Sequence, residues 1–130
     1  ESIGVDTWGV DYGFLAEDGT LLEMPYQYRD SRTNGTAELI EEKLGKKKVY
    51  DITGIQFMNI NTLNQMISVV RDTPDRFDGA VDMLFIGDIL HYLLSGKKAA
   101  EFTVASTSQM LDAYMDAQQD FMEASGLTDD

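Results

Sequence analysis

The chain has no cysteine, only two prolines and a single histidine among its 130 residues. Without cysteine it can form no disulfide framework, no thiolate nucleophile and no cysteine-based zinc site. Basic residues are also few, since 10 Lys and Arg oppose 23 Asp and Glu and give a net charge of −13. An acidic surface repels phosphate backbones and anionic lipid, so neither nucleic acid nor a membrane surface is a good candidate partner.

Long apolar runs are missing as well. None approaches the roughly 20 residues of a membrane-spanning helix, and the first residues, Glu1-Ser2-Ile3, lack the basic start of a signal peptide. Together with the lack of cysteine, this favours a soluble protein in the cytoplasm. The sequence begins without methionine, one residue before a strand-like run, which predicts that it is part of a longer protein.

The residues that are present suit one domain over residues 1–130. Apolar residues make up 43% of the chain, which is enough to form a core at this length. Alternating apolar residues predict two strands between residues 2 and 15, divided by Gly9. The pair Asp18-Gly19 is typical of a hairpin turn, and residues 21–24 predict a returning strand that ends at Pro25. We therefore expect an antiparallel β meander at the start of the chain.

Helices are predicted to follow. One covers residues 36–44 and ends at Gly45, and a short helical turn covers residues 49–52. In the next helix, Thr62 and Gln65 have the spacing of a capping box. The apolar residues of that helix recur on one face, at Leu63, Met66, Ile67 and Val70.

An apolar run at residues 81–86, which follows a loop or short helix around Pro74, predicts a buried strand. Asp88 is expected to cap a helix that ends at Gly96. A strand-rich start followed by helices predicts an α/β or α+β domain. The residues of the helix before Gly96 that are expected to face the core are Ile89, Leu90, Leu93 and Leu94.

Two further helices are predicted near the end of the sequence. Ser106 and Gln109 repeat the capping-box spacing before a helix that includes Tyr114 and Met115. A last helix is predicted over residues 116–125, before a frayed tail.

Two aspartates are candidates for chemistry, because paired carboxylates can hold Mg²⁺ or divide the roles of acid and base. Asp6 and Asp11 would face opposite sides of a continuous strand, so only a break at Gly9 could bring them together. Gly9 could also admit a ligand close to the backbone, since it has no Cβ. The alternatives are that each aspartate ends a strand and that Gly9 forms a bulge needed only by the sheet.

His91 is the only histidine and has Asp88 one helical turn away, so it could act as a general base or a metal ligand. No second histidine or cysteine exists to complete a metal set, which favours a structural role. Lys46, Lys47 and Lys48 could attract phosphate, or they could simply complement the dipole at the end of the preceding helix.

Uncharged polar side chains form two further groups. Carboxamides offer both donors and acceptors, as the hydroxyls of a polyol require, so the first group suggests sugar recognition, with loop and cap chemistry as the alternative. Hydroxyls in the second group precede a predicted helix and could favour an anion or merely cap the helix. The first group is Gln56, Asn59, Asn61, Asn64 and Gln65, and the second is Thr103, Ser106, Thr107 and Ser108.

Several stretches of the sequence carry a family resemblance. They are IGVDTWGVDY at residues 3–12, YRDSRT at 28–33, TGIQF at 53–57, NTL at 61–63, and AST and QMLD between residues 105 and 112. In this order they resemble the FGGY family of carbohydrate kinases. The resemblance implies an internal part of the N-terminal domain, with the ribonuclease-H-like fold of actin-type ATPases. It also implies an enzyme that transfers the γ-phosphoryl group of ATP to the 1-hydroxyl of L-rhamnulose with Mg²⁺.

Residue roles follow from the resemblance only where the positions match. Gly9 is implied to bring its backbone against the ketose, and Tyr28 to place an aromatic ring against the carbon face of the sugar. Trp8 and Asp11 flank the same wall as supporting residues. The catalytic aspartate of a His-Asp-Thr motif is expected beyond residue 130, and the first phosphate loop before residue 1.

The resemblance therefore implies neither a catalytic nor a metal-binding residue in this chain. ATP and Mg²⁺ are expected to bind mostly outside this segment, and the isolated chain is expected to have no kinase activity.

Two alternatives stay open. One is a kinase of the same family that acts on another ketose or a polyol. The other is an acidic binding module without catalysis, which should be monomeric and have no exposed apolar face. A kinase fragment should instead expose a sheet edge and core surface that pack against the remaining parts of the kinase, and should self-associate through that surface.

Overall fold

The computed structural model describes residues 2–112. The strands and longer helices are β1 (Tyr12–Leu15), α1 (Thr36–Lys43), α2 (Lys46–Thr53), α3 (Thr62–Asp72), β2 (Asp82–Phe85), α4 (Ile86–Ser95) and α5 (Phe102–Ala105). Short 3-10 helices lie at Ser31–Thr33, Pro74–Phe77 and Ser106–Ser108. The predicted mixed α/β class is confirmed, with two strands in the described part of the chain. None of the helices there has the length and apolar character needed to cross a membrane.

The sheet differs from the predicted meander. β1 pairs antiparallel with β2, so that Tyr12 lies opposite Phe85 and Leu15 lies opposite Asp82. The Asp18-Gly19 turn does form, with a φ of +82° at Gly19. The chain that returns from this turn makes a single bridge, between Leu21 and Leu15. The returning chain stays beside β1, where the Leu22 amide donates to the Phe14 carbonyl at 3.0 Å. β2 pairs with the opposite edge of β1, where the Val81 amide donates to the Leu15 carbonyl at 2.9 Å.

The first predicted strand is also not formed. Residues 2–8 are not assigned to a strand, and 78% of Ile3 is exposed. Alternating residues make a strand only where another strand accepts and donates the backbone hydrogen bonds. Among residues 2–112, no strand lies beside this segment.

The first two helices follow local signals. α1 ends before Gly45, as predicted, and Gly45 has a φ of +80°. α2 is longer than the predicted turn over residues 49–52, because Glu41 accepts a hydrogen bond from the Lys46 amide at 2.7 Å and satisfies the start of the helix. The three lysines therefore form the first turn of α2, where Lys47 pairs with Asp51 at 2.5 Å.

α3 is the central helix. It begins at Thr62 with Asn61 in the N-cap position, and its Leu63 is fully buried. The predicted capping box between Thr62 and Gln65 is wrong, because both side chains hydrogen-bond to the segment around Val10. The 3-10 helix at Pro74 confirms the predicted short helix.

The apolar run at residues 81–86 confirms the predicted strand as β2. α4 starts earlier than predicted, so Asp88 lies inside its first turn and accepts a hydrogen bond from the Glu101 amide at 3.0 Å instead of capping the helix. Gly96 ends α4 with a φ of +71°. Only one of the four residues predicted to face the core is buried: Ile89 is 5% exposed, whereas Leu90, Leu93 and Leu94 are 39%, 64% and 59% exposed.

The predicted capping box at Ser106 and Gln109 is wrong as well. Ser106 starts a 3-10 helix of three residues, and Gln109 is in the left-handed region with a φ of +63°. Its side chain donates to the Ile55 carbonyl at 3.1 Å. The predicted helix positions Tyr114 and Met115, the helix over residues 116–125 and the tail lie outside the described residues.

The core consists of three apolar clusters, two of which are built on α3. Packing on both sides of α3 fixes this helix next to β1, so its polar residues reach the segment that precedes β1. The buried clusters are Ile40, Val49, Leu63 and Ile67; Tyr12, Phe14, Met66 and Phe85; and Leu15, Leu84 and Ile89.

Candidate functional site

A tight turn at Val10 forms the centre of the candidate site. The Asp11 amide donates to the Gly9 carbonyl at 2.9 Å, which closes a three-residue γ-turn. Val10, at its centre, has a φ of +66°. A β-branched residue rarely adopts this conformation, because its side chain crowds the backbone. The turn must therefore be held by contacts from other segments.

Three side chains supply those contacts. The Val10 carbonyl accepts hydrogen bonds from Thr62 Oγ1 at 2.8 Å and from Gln65 Nε2 at 3.2 Å. The Val10 amide donates to Thr107 Oγ1 at 3.2 Å. Thr107 in turn donates to the Val104 carbonyl at 2.7 Å. Both backbone groups of the strained residue are thus satisfied by segments distant in sequence.

Asp11 follows this turn and is 1% exposed. Its two carboxylate oxygens each accept one hydrogen bond: Oδ2 from Trp8 Nε1 at 2.8 Å, and Oδ1 from Gln65 Nε2 at 3.1 Å. With both oxygens occupied, the carboxylate holds the Trp8 indole in place. Asp6 is exposed and has no described hydrogen bond with Asp11, so the structure gives no support for a shared acid–base or Mg²⁺ site.

The missing Cβ of Gly9 is explained by a contact within the chain. A Cβ built on Gly9 would lie 2.7 Å from Thr107 Oγ1, which is closer than real Cβ atoms approach other groups. Gly9 therefore allows Thr107 to reach the Val10 amide. A contact between the Gly9 backbone and a sugar stays a prediction.

A groove of about 410 Å³ lies beside Trp8 and Asp11. The Trp8 and Tyr26 rings are 51% and 40% exposed at the groove. A groove of this size can receive one small ligand, with aromatic faces for its C–H groups. The far wall, from α4, is apolar. The lining residues are Trp8, Asp11, Leu21, Met24, Pro25, Tyr26, Gln27, Ile86, Ile89, Leu90 and Leu93.

Tyr28, the predicted aromatic contact, is half-buried and does not line this groove. The Arg29 guanidinium lies 5.3 Å from the centre of its ring. Tyr26 lines the groove together with Trp8 and lies between the guanidinium groups of Arg32 at 4.4 Å and Arg76 at 4.2 Å. Sequence reasoning missed Tyr26, for which the available signal was its position two residues before Tyr28 in an extended segment.

Gln65 was predicted only as a capping-box residue and a member of the carboxamide group. It is fully buried, and it joins the Val10 turn to Asp11 and to Arg32, whose Nη2 donates to Gln65 Oε1 at 2.6 Å. The signal for this role was a glutamine between the apolar residues of a buried helix, where a carboxamide must find partners inside the protein.

The other carboxamides favour the loop alternative over sugar recognition. Asn61 Nδ2 donates to the Gln56 carbonyl and Asn64 Nδ2 to the Met58 carbonyl, both at 3.1 Å. Both asparagine side chains are buried, so they stabilise the loop that leads into α3. Asn59 and the side chain of Gln56 are exposed.

His91 does not form a second site, and neither do the hydroxyl-bearing residues Thr103, Ser106, Thr107 and Ser108. His91 is exposed, and the Asp88 carboxylate contacts the Glu101 amide. Ser106 Oγ donates to the Thr103 carbonyl at 2.6 Å, which leaves this hydroxyl engaged within its own turn. No group of three His, Cys, Asp or Glu side chains within residues 2–112 could hold a metal ion.

A search of protein-family models matches residues 1–129 to the N-terminal domain of the FGGY family of carbohydrate kinases. Among curated relatives, the rhamnulokinase of Bacteroides thetaiotaomicron is 41% identical over 130 residues, which is 99% of this chain and 27% of that protein. The rhamnulokinase of Pectobacterium atrosepticum is 44% identical over 112 residues, 86% of this chain and 23% of that protein. The chain thus spans about a quarter of the length of these relatives.

Solved structures share the fold at lower identity. Gluconate kinase from Lactobacillus acidophilus matches with a TM-score of 0.81 and 15% identity, over 93% of this chain and 25% of that one. Plasmodium falciparum glycerol kinase with ADP matches with a TM-score of 0.81 and 15% identity, over 97% of this chain and 26% of that one.

Proposed function

Since this chain belongs to the FGGY family of carbohydrate kinases, we propose that it is part of an ATP-dependent kinase that phosphorylates L-rhamnulose at the 1-hydroxyl. The observation that carries the proposal is the identity with rhamnulokinases along almost the whole chain. The solved structures support the fold alone, for which we propose the ribonuclease-H-like, actin-type class.

Within that kinase, we propose that this segment supplies one wall of the sugar site. Trp8 is 51% exposed and lines the groove, where its ring can pack against the carbon face of a sugar. The backbone of Gly9 and the ring of Tyr28 are proposed as further contacts, of which Tyr28 would have to meet the sugar from outside this groove. Asp11 supports the wall by holding Trp8.

ATP and Mg²⁺ are proposed to bind in other parts of the longer enzyme, where they supply the phosphoryl group and neutralise its charge. The described residues do not fit either group: they contain no cluster of metal ligands, and the lysines of α2 are exposed on a separate helix. The remaining parts of the kinase are the proposed partners of this segment, and the cytoplasm is its proposed location.

The exposed face of α4 favours this proposal over a self-contained binding module. A module that folds for its own purpose should cover its large apolar side chains, yet Leu93 and Leu94 are more than half exposed. We propose that this face packs against the rest of the kinase and leads the isolated chain to self-associate.

The test compares the complete kinase with the 130-residue chain. With ATP and Mg²⁺, the complete enzyme should form ADP fastest with L-rhamnulose among L-rhamnulose, D-xylulose, L-fuculose and glycerol. Preference for another of these substrates would contradict the proposed sugar. The chain alone should form no ADP above background, and sugar-dependent ADP formation by the chain would contradict its proposed role as one wall of the site.

A further inference from the structure

A continuous row of hydrogen bonds connects a surface loop to the only tryptophan of the chain. Arg32 Nη2 donates to Gln65 Oε1 at 2.6 Å, and Gln65 Nε2 donates to Asp11 Oδ1 at 3.1 Å. Asp11 Oδ2 accepts from Trp8 Nε1 at 2.8 Å. Trp8, at the exposed end of this row, is one of the two aromatic residues that line the groove.

Arg32 fixes which way the Gln65 carboxamide is oriented. A guanidinium has donors only, so it must meet the oxygen of the Gln65 carboxamide. The amide nitrogen of Gln65 then faces three acceptors: the carbonyls of Val10 and Ile60 and the carboxylate of Asp11. The reversed carboxamide would place an oxygen against all three acceptors and a nitrogen against Arg32, which is unfavourable at every contact.

Arg32 is itself fixed in place. Its backbone amide donates to Asp30 Oδ1 at 2.8 Å, and its guanidinium lies 4.4 Å from the centre of the Tyr26 ring. The donor that orients Gln65 is therefore anchored on a short 3-10 helix and against an aromatic residue of the groove.

The same amide nitrogen also holds the strained turn. Val10 keeps a φ of +66° while its carbonyl accepts from Gln65 and Thr62. Without Gln65, the turn would lose one of two bonds to this carbonyl, and Asp11 would lose one of its two partners. Trp8 and the Gly9 backbone would then be free to leave their present positions.

We propose that Gln65, oriented by Arg32, is a positioning residue that holds the Trp8 indole and the Val10 turn in one geometry and thereby sets the affinity of this wall for a ketose. The affinity part rests on the proposed function; the positioning part does not. Gln65 is fully buried and its amide nitrogen bonds to Val10 and Asp11, so its effect is transmitted through these two residues.

Two neighbouring carboxamides on α3 provide a matched pair of variants. Gln65→Glu keeps the size of the side chain but replaces the donor that faces Val10 and Asp11 with a carboxylate oxygen. Asn64→Asp makes the same chemical change in an equally buried residue, whose partners are Thr36 and the Met58 carbonyl. Both variants bury a charge, and only the first touches the row that leads to Trp8.

Trp8 fluorescence of the 130-residue chain is the direct measurement. Gln65→Glu should raise the acrylamide quenching constant of Trp8 and lower its emission anisotropy, whereas Asn64→Asp should leave both near the values of the unmodified chain. Equal changes in the two variants would overturn the proposal, because they would reflect a general loosening of α3.

A second variant covers the case in which Gln65→Glu does not fold, which urea unfolding followed by circular dichroism detects. Arg32→Lys keeps the positive charge at this half-buried position of the 3-10 helix but loses the planar donor that meets Gln65. It should change Trp8 quenching in the same direction and by less. Quenching identical to that of the unmodified chain in Arg32→Lys and in every folded Gln65 variant would overturn the proposal.

Kinetics of the complete kinase test the affinity part. Gln65→Glu loses the hydrogen bond from the Gln65 amide to the Asp11 carboxylate. We expect this loss to raise KM for L-rhamnulose about tenfold and to change kcat by less. An unchanged KM alongside altered Trp8 quenching would overturn the affinity part. If the unmodified enzyme does not act on L-rhamnulose, the proposed function fails, and the fluorescence comparison still decides the positioning role.

Discussion

The Val10 turn and the exposed face of α4, which carries Leu93 and Leu94, lie beside the same groove. Polar side chains are usually exposed and apolar ones buried, and each region reverses one half of this rule. At the turn, polar side chains are buried: Gln65 is 0% exposed and Asp11 is 1% exposed. On α4, apolar side chains are exposed: Leu93 at 64% and Leu94 at 59%. Buried polar groups and exposed apolar patches are the two observations about burial that carry information.

The difference shows which region has the contacts it needs within the chain and which region does not. Around the turn, the Val10 carbonyl and both Asp11 oxygens find partners inside the described chain, so the region needs no further component to be stable. The face of α4 has no such cover among the described residues, and exposed apolar patches on a protein mark interaction sites. Changes at the turn should therefore alter folding, and changes on α4 should alter association.

At the turn, the largest effect is expected from Asp11→Ala. The substitution removes the acceptor of the Trp8 indole and one of the three acceptors of the Gln65 amide, and each hydrogen bond to a carboxylate contributes about 1.5–3 kcal/mol. We expect the free energy of unfolding to fall by about 2–4 kcal/mol in urea denaturation. Asp6→Ala, at an exposed position, is the control and should change it by less than about 0.5 kcal/mol. Equal stability of the two variants would contradict the account of the turn.

A smaller loss is expected from Gly9→Ala. The new Cβ would lie 2.7 Å from Thr107 Oγ1, and overpacking of this kind costs about 1–3 kcal/mol. Gly4→Ala is the matched control, since no heavy atom lies within 4 Å of the Cβ position there.

The double variant Gly9→Ala/Thr107→Ala identifies the source of that loss. It should be destabilised by less than the sum of the two single variants in thermal unfolding, because removal of the Thr107 hydroxyl relieves the clash. Strict additivity would show that Gly9 matters for another reason.

A pH-dependent effect is expected at Tyr12, which follows the turn as the first residue of β1 and packs in the apolar cluster with Met66 and Phe85. Burial raises the pKa of the Tyr12 phenol above its ordinary value of 10.0, although Arg32 and Arg76 act in the opposite direction. Between the unfolded and folded pKa values the folded state holds more protons, so the free energy of unfolding falls as pH rises. Tyr12→Phe should remove this fall.

The comparison uses urea midpoints at about pH 8 and about pH 10.5. At the lower pH, Tyr12→Phe should match the unmodified chain, since the phenol oxygen has no hydrogen-bond partner among the described residues. At the higher pH the variant should be the more stable of the two. Tyr50→Phe, at a residue that is 55% exposed, should show no such gain.

The smallest change in folding stability is expected on α4. Leu93→Gln should alter the free energy of unfolding by less than about 0.5 kcal/mol, because the side chain is mostly exposed. It should nevertheless reduce self-association in sedimentation and the binding of an apolar dye. Leu63→Ala, in the core, is the contrast and should cost about 2–5 kcal/mol. A large loss of stability in Leu93→Gln would show that α4 is covered within the chain.

Element positions were largely predictable from the sequence, because their signals are local. Gly45 and Gly96 end α1 and α4 by adopting positive φ, which any neighbouring sequence would allow. The apolar face of α3 and the apolar run of β2 likewise lie within the elements that they define.

The hydrogen-bond partners of polar side chains were much harder to predict. Thr62 and Gln65 have the spacing of a local cap, yet both side chains bind the Val10 carbonyl. A hydroxyl or carboxamide can satisfy itself locally or at a distance with similar hydrogen bonds, so spacing does not decide between the two. The same reasoning applies to Gly9, whose missing Cβ suggested a ligand and also accommodates Thr107; the ligand contact stays a prediction.

The sequence by itself determined the acidic charge, the exclusion of cysteine chemistry, the ends of α1 and α4 and the family to which the chain belongs. These properties depend on residue identity and on neighbours within a few positions. Only the tertiary structure decided that Gln65 and Thr107 hold the Val10 turn and that one face of α4 is open. The bond from Val10 to Thr107 joins residues 97 positions apart, and such a contact exists only once the intervening chain has packed.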